Sequence, residues 1–412
     1  MSKPPPRPHP LTRSAFATRA NRLLEMVWAK GIDQPPLLES EYIWKHGAKG
    51  FTREDEVSIR SEAAVADFRE RLDRLCRSLR EEADLNALGH AMAYGQLRKA
   101  VRERHRLGRL WREHPELART PLAPPIAVVG LMRSGTTRVQ RLLAADPRHS
   151  GTRVCDSYDP VPSRPDMRPL KTRLGLALLR RLDPWLNVLH PVTATGVDEE
   201  IGWLAAALSP PAFEAQWRIP SFVRWSEARD SAPVYAEFAR ILRTDAAHHG
   251  NAAKPRILKC PQFTEDLPEL LGELPETRIV ATYQTQDDVW QSAVSMIACQ
   301  SGYQTASPDL TRIEEECERK LRYRSARMAD DLAEIEAPIA TVTFAELNAD
   351  WGGAMRTIYE TFGIPFDNRA LYAMEGEVTR ARKQAHGEHG RQLAKFDLTR
   401  PSRMSTGLRA TG

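Results

Sequence analysis

The spacing of apolar residues divides the chain into two parts. From about residue 11 to residue 118, apolar residues recur every three or four positions between charged ones, as in Phe68, Leu72 and Leu75. This is the period of amphipathic helices, and it predicts an all-helical N-terminal region. Later, short apolar runs alternate with amphipathic stretches; these runs are PIAVVG (125–130), RILKC (256–260), RIVATY (278–283) and IATVTF (339–344). Such alternation predicts an α/β fold with a parallel β-sheet flanked by helices.

Prolines mark the borders of these parts. The segment RTPLAPP (119–125) holds three prolines within five residues, which no helix accommodates. We therefore expect a helical region over 11–118 and an α/β domain over 125–400. Five prolines among the first ten residues predict a disordered tail over 1–10, and we expect 401–412 to be loose as well.

Composition narrows the class of protein. The 412 residues include 59 Lys and Arg against 54 Asp and Glu, a net charge of +5. This is too dilute to indicate a nucleic-acid partner, but it is compatible with an anionic ligand in one basic cleft. No apolar run reaches about 18 residues and no signal-peptide core begins the chain, so we expect a cytoplasmic protein without a transmembrane segment. Five scattered cysteines without a CxxC pair predict neither disulfides nor structural zinc. The sequence gives no indication of the oligomeric state.

The most specific motif is a glycine-bounded turn, GLMRSGTT, between the first predicted strand and a helix. Such a turn aims backbone N–H groups and the positive end of a helix at one point, which suits a phosphate group. Gly130 and Gly135 have the spacing of the P-loop pattern GxxxxGK[ST], but Thr136 takes the place of the lysine and Thr137 that of the hydroxyl residue. The cationic role would pass to Arg133. A plain strand-to-helix connection is the alternative.

The missing lysine bears on the chemistry. Phosphoryl transfer from ATP needs Mg²⁺, a P-loop lysine and a metal-binding carboxylate at a strand end. Here two later strands end in Lys259-Cys260-Pro261 and Tyr283-Gln284-Thr285, without a carboxylate. A sulfuryl group carries less charge, so hydrogen-bond donors and one or two cations can stabilise its transfer without metal. The loop therefore favours a sulfonate donor over a nucleoside triphosphate.

With these motifs the chain resembles the bacterial sulfotransferases that use 3′-phosphoadenosine 5′-phosphosulfate (PAPS). Their loop reads GxPRSGTT, and only the proline differs here, replaced by Met132. The likeness extends to an LKxPxxxxxLPxLLxxxPxxRIVxTxR-like stretch at 258–284 and an HGxHxxxxxxF-like stretch at 386–396. It implies PAPS as co-substrate, no metal, a catalytic role for Arg133, and a 5′-phosphosulfate site formed by loop residues Arg133, Ser134, Gly135, Thr136 and Thr137.

The 3′-phosphate half of the donor site departs from the family pattern. There the strand RIVxTHR supplies an arginine, and a serine eight residues later joins it; this chain has Gln284 and Ser292 at these positions. An amide binds phosphate more weakly than a bidentate arginine does. We expect compensation by Arg391, or by Lys383 and Arg382, from the basic segment RARKQAHGEHGR folding over the nucleotide; a solvated basic loop is the alternative.

Sulfuryl transfer also needs a base near the loop to take a proton from the acceptor. Asp156, 21 residues past Gly135 where the resembling enzymes carry a glutamate, is the first candidate, with a turn or cap residue as the alternative. The second candidate is Glu199, in the cluster His190, Asp198, Glu199 and Glu200. Acids in the first turn of a helix also occur for electrostatic reasons alone.

The remaining signals concern the acceptor. The aromatic-rich stretch 203–225 would line a hydrophobic acceptor pocket, or simply pack in the core. Lys259, at a strand end, would contact the sulfuryl group, or be an ordinary surface lysine. The sequence thus indicates PAPS-dependent sulfuryl transfer to a hydroxyl or amine of an unidentified, hydrophobic small molecule. A nucleotide kinase with a degenerate P-loop, and a non-catalytic relative that binds a nucleotide or a partner, are the alternatives.

Overall fold

The computed structural model describes residues 4–336 and 338–382, together with residues 393, 395, 396 and 398. The N-terminal region is helical, as predicted. Its helices are α1 (Ala15–Ala29), α2 (Ser40–Gly47), α3 (Arg53–Val57), α4 (Glu62–Glu81) and α5 (Ala87–Glu113). Three of them begin where a short polar side chain accepts a first-turn N–H, namely at Ser14, Ser61 and Asn86.

The rest of the chain alternates strands with helices. The strands are β1 (Ile126–Val129), β2 (Ser150–Gly151), β3 (Arg256–Lys259), β4 (Arg278–Tyr283) and β5 (Ile339–Thr343). The helices between β1 and β3 are α6 (Thr136–Ala145), α7 (Val154–Tyr158), α8 (Arg168–Leu182), α9 (Leu186–Leu189), α10 (Ile201–Ala206), α11 (Pro211–Glu214), α12 (Pro220–Glu227) and α13 (Ala232–His249). After β3 come α14 (Leu267–Glu273), α15 (Gln286–Gln304), α16 (Leu310–Glu334), α17 (Phe344–Ala349), α18 (Trp351–Thr361) and α19 (Asn368–Arg382). Short 3₁₀ turns span Leu117–Arg119 and Pro261–Thr264.

The five strands form one parallel sheet in the order β2-β3-β1-β4-β5. In this register Ile126 of β1 lies between Ile257 of β3 and Arg278 of β4. The carboxyl ends of β1, β3 and β4 therefore meet at one edge, where ligands bind in open α/β sheets. The α/β fold with a parallel sheet is confirmed.

Apolar side chains cover both faces of the sheet. Ala127 and Val129 of β1 pack in a cluster with Trp203 and Phe238, whereas Val128 packs on the other face with Tyr359. The N-terminal helices share the first cluster. Trp111 of α5 is buried in it and donates from Nε1 to Thr244 Oγ1 at 2.8 Å. The helical region thus lies against the sheet layer, while the expected border at 119–125 stays a prediction.

A disordered tail was expected over 1–10, whereas residues of the segment 4–10 contact the rest of the chain. Arg7 is buried and donates to Ser295 Oγ at 3.1 Å and to the Ser295 carbonyl at 2.8 Å. Trp185 Nε1 donates to the Pro5 carbonyl at 2.8 Å. Prolines have little conformational entropy to lose, so a few anchoring contacts order such a segment. The segment 401–412 lies outside the described residues.

No helix in the described part of the chain combines the length and apolar character needed to cross a bilayer.

Candidate active site

The loop between β1 and α6 is shaped by two glycines. A Cβ on Gly130 would lie 2.2 Å from Thr282 Oγ1 and 2.6 Å from Ser134 Oγ, so no larger residue fits without displacing them. Gly135 has φ 94°, a left-handed conformation that glycine adopts without strain. The Ser134 hydroxyl is 2.7 Å from Thr282 Oγ1, which ties the loop to β4. The loop is therefore held in a single curved shape.

The helix α6 begins at the end of this loop. Thr136 and Thr137 are its first two residues, and Gly135 provides no side-chain cap. N–H groups of the first helical turn have no intrahelical partner, and the helix dipole places positive charge among them. Gly135, Thr136 and Thr137 all line one cavity. The start of α6 thus offers this cavity a site for an anion.

Arg133 has φ 73°, which is unusual for a residue with a side chain. Its Nε donates to Ser292 Oγ at 2.8 Å, and its Nη1 donates to the Leu189 carbonyl at 3.2 Å. Burial lowers the pKa of Arg133 below its ordinary value, and the nearby charge of Glu199 opposes that change. The structure thus brings together Arg133, which was expected at the 5′-phosphosulfate, and Ser292, which was expected at the 3′-phosphate.

Gln284 follows β4, at the same edge of the sheet. Its Nε2 donates to Asp288 Oδ2 at 3.2 Å, and Thr285 Oγ1 donates to the same oxygen at 2.7 Å. The amide is therefore held by a carboxylate in the first turn of α15. Arg391 and Lys383, expected to compensate for Gln284, lie outside the described residues, as does the side chain of Arg382.

A charged cluster lies where β3 ends. Lys259 Nζ forms an ion pair with Glu199, and the Lys259 backbone N–H donates to Glu200 Oε2 at 2.8 Å. Lys259 is only 3% exposed, so the alternative of an ordinary surface lysine is wrong. Burial raises the pKa of Glu200 to about 8. Glu200 thus fixes the strand end from which Lys259 reaches Glu199.

A second pair lies beside it. His190 Nε2 is 2.9 Å from Asp198 Oδ2. Burial would raise the pKa of Asp198, but the charge of His190 and this hydrogen bond outweigh it and lower that pKa. His190, Asp198 and Glu199 have ligand atoms within 4.8 Å of one another, a set that could hold a cation. The ammonium group of Lys259 already supplies a positive charge to Glu199.

Asp156 has a different environment. It accepts from Arg153 Nε at 2.6 Å, is 3.1 Å from Arg168 Nη1 and 3.1 Å from His249 Nε2, and is 1% exposed. Burial opposes ionisation, but these partners outweigh it and hold the pKa of Asp156 well below its ordinary value. In the described part of the chain, Asp156 is not among the residues that line the cavity. This geometry is that of a buried ion-pair centre and does not favour the first candidate for the base.

The cavity next to these groups has a volume of about 1150 Å³. At one end it is lined by Arg133, the start of α6, Lys259, Glu199 and His190. Elsewhere its wall is largely apolar and includes Leu179, Leu186, Phe213, Trp217, Val223 and Tyr303. Of the aromatic-rich stretch 203–225, Phe213 and Trp217 contribute to the wall, whereas Trp203 and Phe222 pack in the core.

The sequence analysis missed the three partners of Asp156, which are Arg153, Arg168 and His249. His249 holds Asp156 and is 93 residues away from it, so no local signal could have found it. Arg153, three residues before Asp156, could have been found from its spacing, because residues three apart on a helical turn face each other.

Comparison with known proteins agrees with this geometry. Residues 124–368, more than half of the chain, match the model of the sulfotransferase family. The fold is similar to that of the sulfotransferase STF1 from Mycobacterium tuberculosis, with 23% identity and a TM-score of 0.71 over 88% of this chain and 100% of that one. It is also similar to the sulfotransferase STF9 from Mycobacterium avium, with 18% identity and a TM-score of 0.75 over 89% of this chain and 94% of that one. No curated protein matches the chain significantly. Because this match to the family model covers more than half of the chain, the chain belongs to the sulfotransferase family.

Proposed function

We propose that the protein transfers a sulfuryl group from PAPS to a hydroxyl or amine of a small, hydrophobic acceptor. In this reaction the acceptor oxygen or nitrogen bonds to sulfur, the bond from sulfur to the 5′-phosphate oxygen breaks, and 3′-phosphoadenosine 5′-phosphate leaves. The acceptor proton passes to a base of the protein. The observation that carries the proposal is that an anion-binding helix start and a cation–carboxylate pair lie on the wall of one cavity.

The donor binds at the β1–α6 loop. Gly130 and Gly135 allow the loop its tight curve, and the N–H groups and hydroxyls of Thr136 and Thr137 donate to the 5′-phosphosulfate. Ser134 holds the loop through its contact with Thr282. Arg133 neutralises charge that develops on the bridging oxygen as the bond to sulfur breaks. No metal is needed, because donors that are already in place stabilise this charge.

The 3′-phosphate binds beside Ser292 and the end of β4. Ser292 supports this position because its hydroxyl lies against Arg133 Nε, so one arginine is near both phosphate groups. Gln284 supplies a neutral donor where the family pattern has an arginine, and Arg391 would add a cation.

Glu199 serves as the base. It lines the cavity and forms an ion pair with Lys259, whose burial leaves its ammonium group few other partners. When the sulfuryl group approaches Lys259, the charge of that lysine is shared with the sulfuryl oxygens, and Glu199 becomes free to accept the acceptor proton. Asp156 keeps its three cationic partners and anchors α7 instead.

The acceptor occupies the apolar part of the cavity. A wall with side chains such as Leu186, Phe213, Trp217 and Val223 favours a molecule that is mostly hydrocarbon or aromatic, with one polar group that reaches Glu199. We also infer a cytoplasmic location. The five cysteines are buried and form no disulfide, as is common in reducing compartments.

The decisive experiment is calorimetric titration of the protein with 3′-phosphoadenosine 5′-phosphate, ADP and ATP, with and without Mg²⁺. We expect the 3′-phosphorylated nucleotide to bind most tightly and Mg²⁺ to change its affinity little. Turnover is then measured as release of 3′-phosphoadenosine 5′-phosphate from PAPS in the presence of a panel of phenols, alcohols and amines. Preference for ATP with Mg²⁺ would instead identify a kinase. Binding of nucleotide without transfer to any acceptor would favour a non-catalytic relative.

A further inference from the structure

The outward side of α8 carries a row of exposed leucines. Leu170, Leu174 and Leu178 are 49%, 66% and 54% exposed and follow one another at four-residue spacing, which places them on one face of the helix. We call these three residues the leucine face. Only Arg168 and Leu182, near the ends of α8, are buried. Contiguous exposed apolar rows of this kind mark interaction surfaces.

The charge on α8 is all of one sign. Its fifteen residues include no acidic residue and five basic ones, Arg168, Lys171, Arg173, Arg180 and Arg181. At about 100° per residue, Lys171 and Arg173 lie on opposite flanks of the leucine face, and Arg181 lies within it. Neither Arg173 nor Arg181 forms an ion pair with any residue in the described part of the chain. Lys171 approaches Asp159 at 3.8 Å on the protein side.

The opposite side of α8 forms part of the cavity wall. Lys171, Thr172, Gly175, Leu176 and Leu179 line it. This helix therefore separates the cavity from the outside, with apolar side chains on both sides and cations along the outer one.

We propose that α8 binds the surface of an anionic phospholipid bilayer. The leucine face enters the acyl-chain boundary, while Arg173 and Arg181 lie at the level of the lipid phosphates. Interfacial helices have this arrangement, an apolar face bordered by lysines and arginines. In the described part of the chain no helix could cross a bilayer, so the attachment is peripheral. A second copy of the chain fits the surface less well, because a two-fold contact would bring two sets of like charges together.

The test uses the full chain in a cosedimentation assay. Vesicles of phosphatidylcholine with phosphatidylglycerol are compared with vesicles of phosphatidylcholine alone, at low and high salt. We expect binding to the anionic vesicles that weakens with salt. The variant L170Q/L174Q/L178Q should lose this binding, and R173Q/R181Q should bind anionic vesicles about 30-fold more weakly.

Two matched control variants distinguish a specific role of α8 from a general effect of losing exposed apolar side chains or positive charge. I32Q/L37Q removes apolar side chains of similar exposure, 70% and 50%, outside α8. R74Q/R77Q removes the same charge from the exposed side of α4. Both controls should bind like the unaltered protein. Circular dichroism checks that all variants are folded, and the exposed arginine pair tests the proposal even if the leucine variant is unstable.

Three results would overturn the proposal. The first is absence of binding to anionic vesicles by the unaltered protein, and the second is equal binding by all variants. The third is a dimer in sedimentation velocity that the leucine substitutions abolish, because a second copy would then cover the leucine face.

Discussion

The buried Lys259 forms an ion pair with the partly buried Glu199 at the carboxyl end of β3, although 60 residues separate them in the chain. The neighbouring Glu200 holds the backbone of Lys259 through a 2.8 Å hydrogen bond. A cation and a carboxylate are thus fixed next to each other on the cavity wall. Transfer of a sulfuryl group calls for both, one to attract the sulfuryl oxygens and the other to take a proton.

The first prediction concerns this pair. Glu199→Gln keeps an oxygen that can accept from Lys259 but cannot take a proton at neutral pH, so kcat should fall by about 10²- to 10⁴-fold. Affinity for 3′-phosphoadenosine 5′-phosphate should change little. The contrasting variant is Asp156→Asn, which leaves three cations partly unpaired and should cost about 3–5 kcal/mol of stability. Near-normal turnover of Glu199→Gln, measured with a saturating acceptor, would transfer the base role to another group such as His190.

The second prediction concerns Arg133. Arg133→Ala should raise the activation free energy of sulfuryl transfer by about 3–4 kcal/mol, because it removes a cation next to the leaving group. Its loss should affect folding much less. The control is Arg356→Ala on α18, an arginine that is not among the cavity-lining residues in the described part of the chain. The test compares the rates of PAPS turnover and the melting temperatures of the two variants. If both variants turn over PAPS at the same rate, Arg133 has no catalytic role.

The third prediction follows from the partners of Asp156. The hydrogen bond to Asp156 and the nearby carboxylate of Asp245 raise the pKa of His249 from 6.5 to about 9. A raised pKa means that the folded state favours the protonated form of His249. The resulting stability is complete below pH 6.5 and is lost as the pH rises through 9. The pKa of Glu200 is raised from 4.5 to about 8. The folded state therefore also loses stability through Glu200 as the pH rises from about 4.5 to about 8.

We therefore expect the free energy of unfolding to fall between about pH 6.5 and pH 9. His249→Gln should remove the part of that fall that is due to the imidazole, and should leave the part due to Glu200. Urea denaturation of both proteins at about pH 6 and pH 9 measures this difference. The assignment fails if the two proteins lose the same free energy between these pH values.

The fourth prediction tests the shape of the loop. Gly130→Ala places a methyl group 2.2 Å from Thr282 Oγ1, so β4 or the loop must move. Overpacking of this kind costs about 1–3 kcal/mol, and nucleotide affinity should fall with it. Gly272→Ala is the control, since nothing lies within 4 Å of a Cβ there and Gly272 is in α14. A Gly130→Ala protein that binds nucleotide normally would show that the loop adapts.

The sequence predicted four of the five strands because each contains a short apolar run. β1, β3 and most of β4 are buried on both faces, as central parallel strands are, whereas the edge strand β5 alternates buried and more exposed residues. The sequence did not predict β2. Ser150 and Gly151 are only two residues without an apolar run, and they pair with β3 because the Ser150 N–H bonds to the Pro255 carbonyl at 3.0 Å. Such an edge strand depends on its neighbour and has no pattern of its own.

The sequence likewise predicted one part of the candidate site and missed another. The β1–α6 loop was predicted because its function depends on adjacent residues, whose spacing is visible in the sequence. The environment of Asp156 was not, since Arg168 and His249 come from α8 and the end of α13. Whether a carboxylate acts as a base or as an ion-pair centre is decided by partners that only the tertiary structure brings together.

The last prediction concerns Gln284, where the chain departs from the family pattern. Gln284→Arg should restore a charged contact with the 3′-phosphate, which is worth about 1–2 kcal/mol more than a neutral hydrogen bond. However, Asp288 already binds the Gln284 amide at 3.2 Å and would attract the new guanidinium group. We therefore expect a small gain in affinity for 3′-phosphoadenosine 5′-phosphate from Gln284→Arg alone, and the full gain from Q284R/D288N.

Asp288→Asn alone is the matched control, and affinity for ADP, which lacks the 3′-phosphate, should not change in any of the three variants. The gain should shrink with added salt, as expected for a charge-assisted contact. Ser292→Ala should weaken binding of the 3′-phosphorylated nucleotide. If Arg391 already neutralises this phosphate, Arg391→Ala will be severe and the new arginine will add nothing. No change in affinity in any of these variants, measured by calorimetry at two salt concentrations, would refute the use of PAPS.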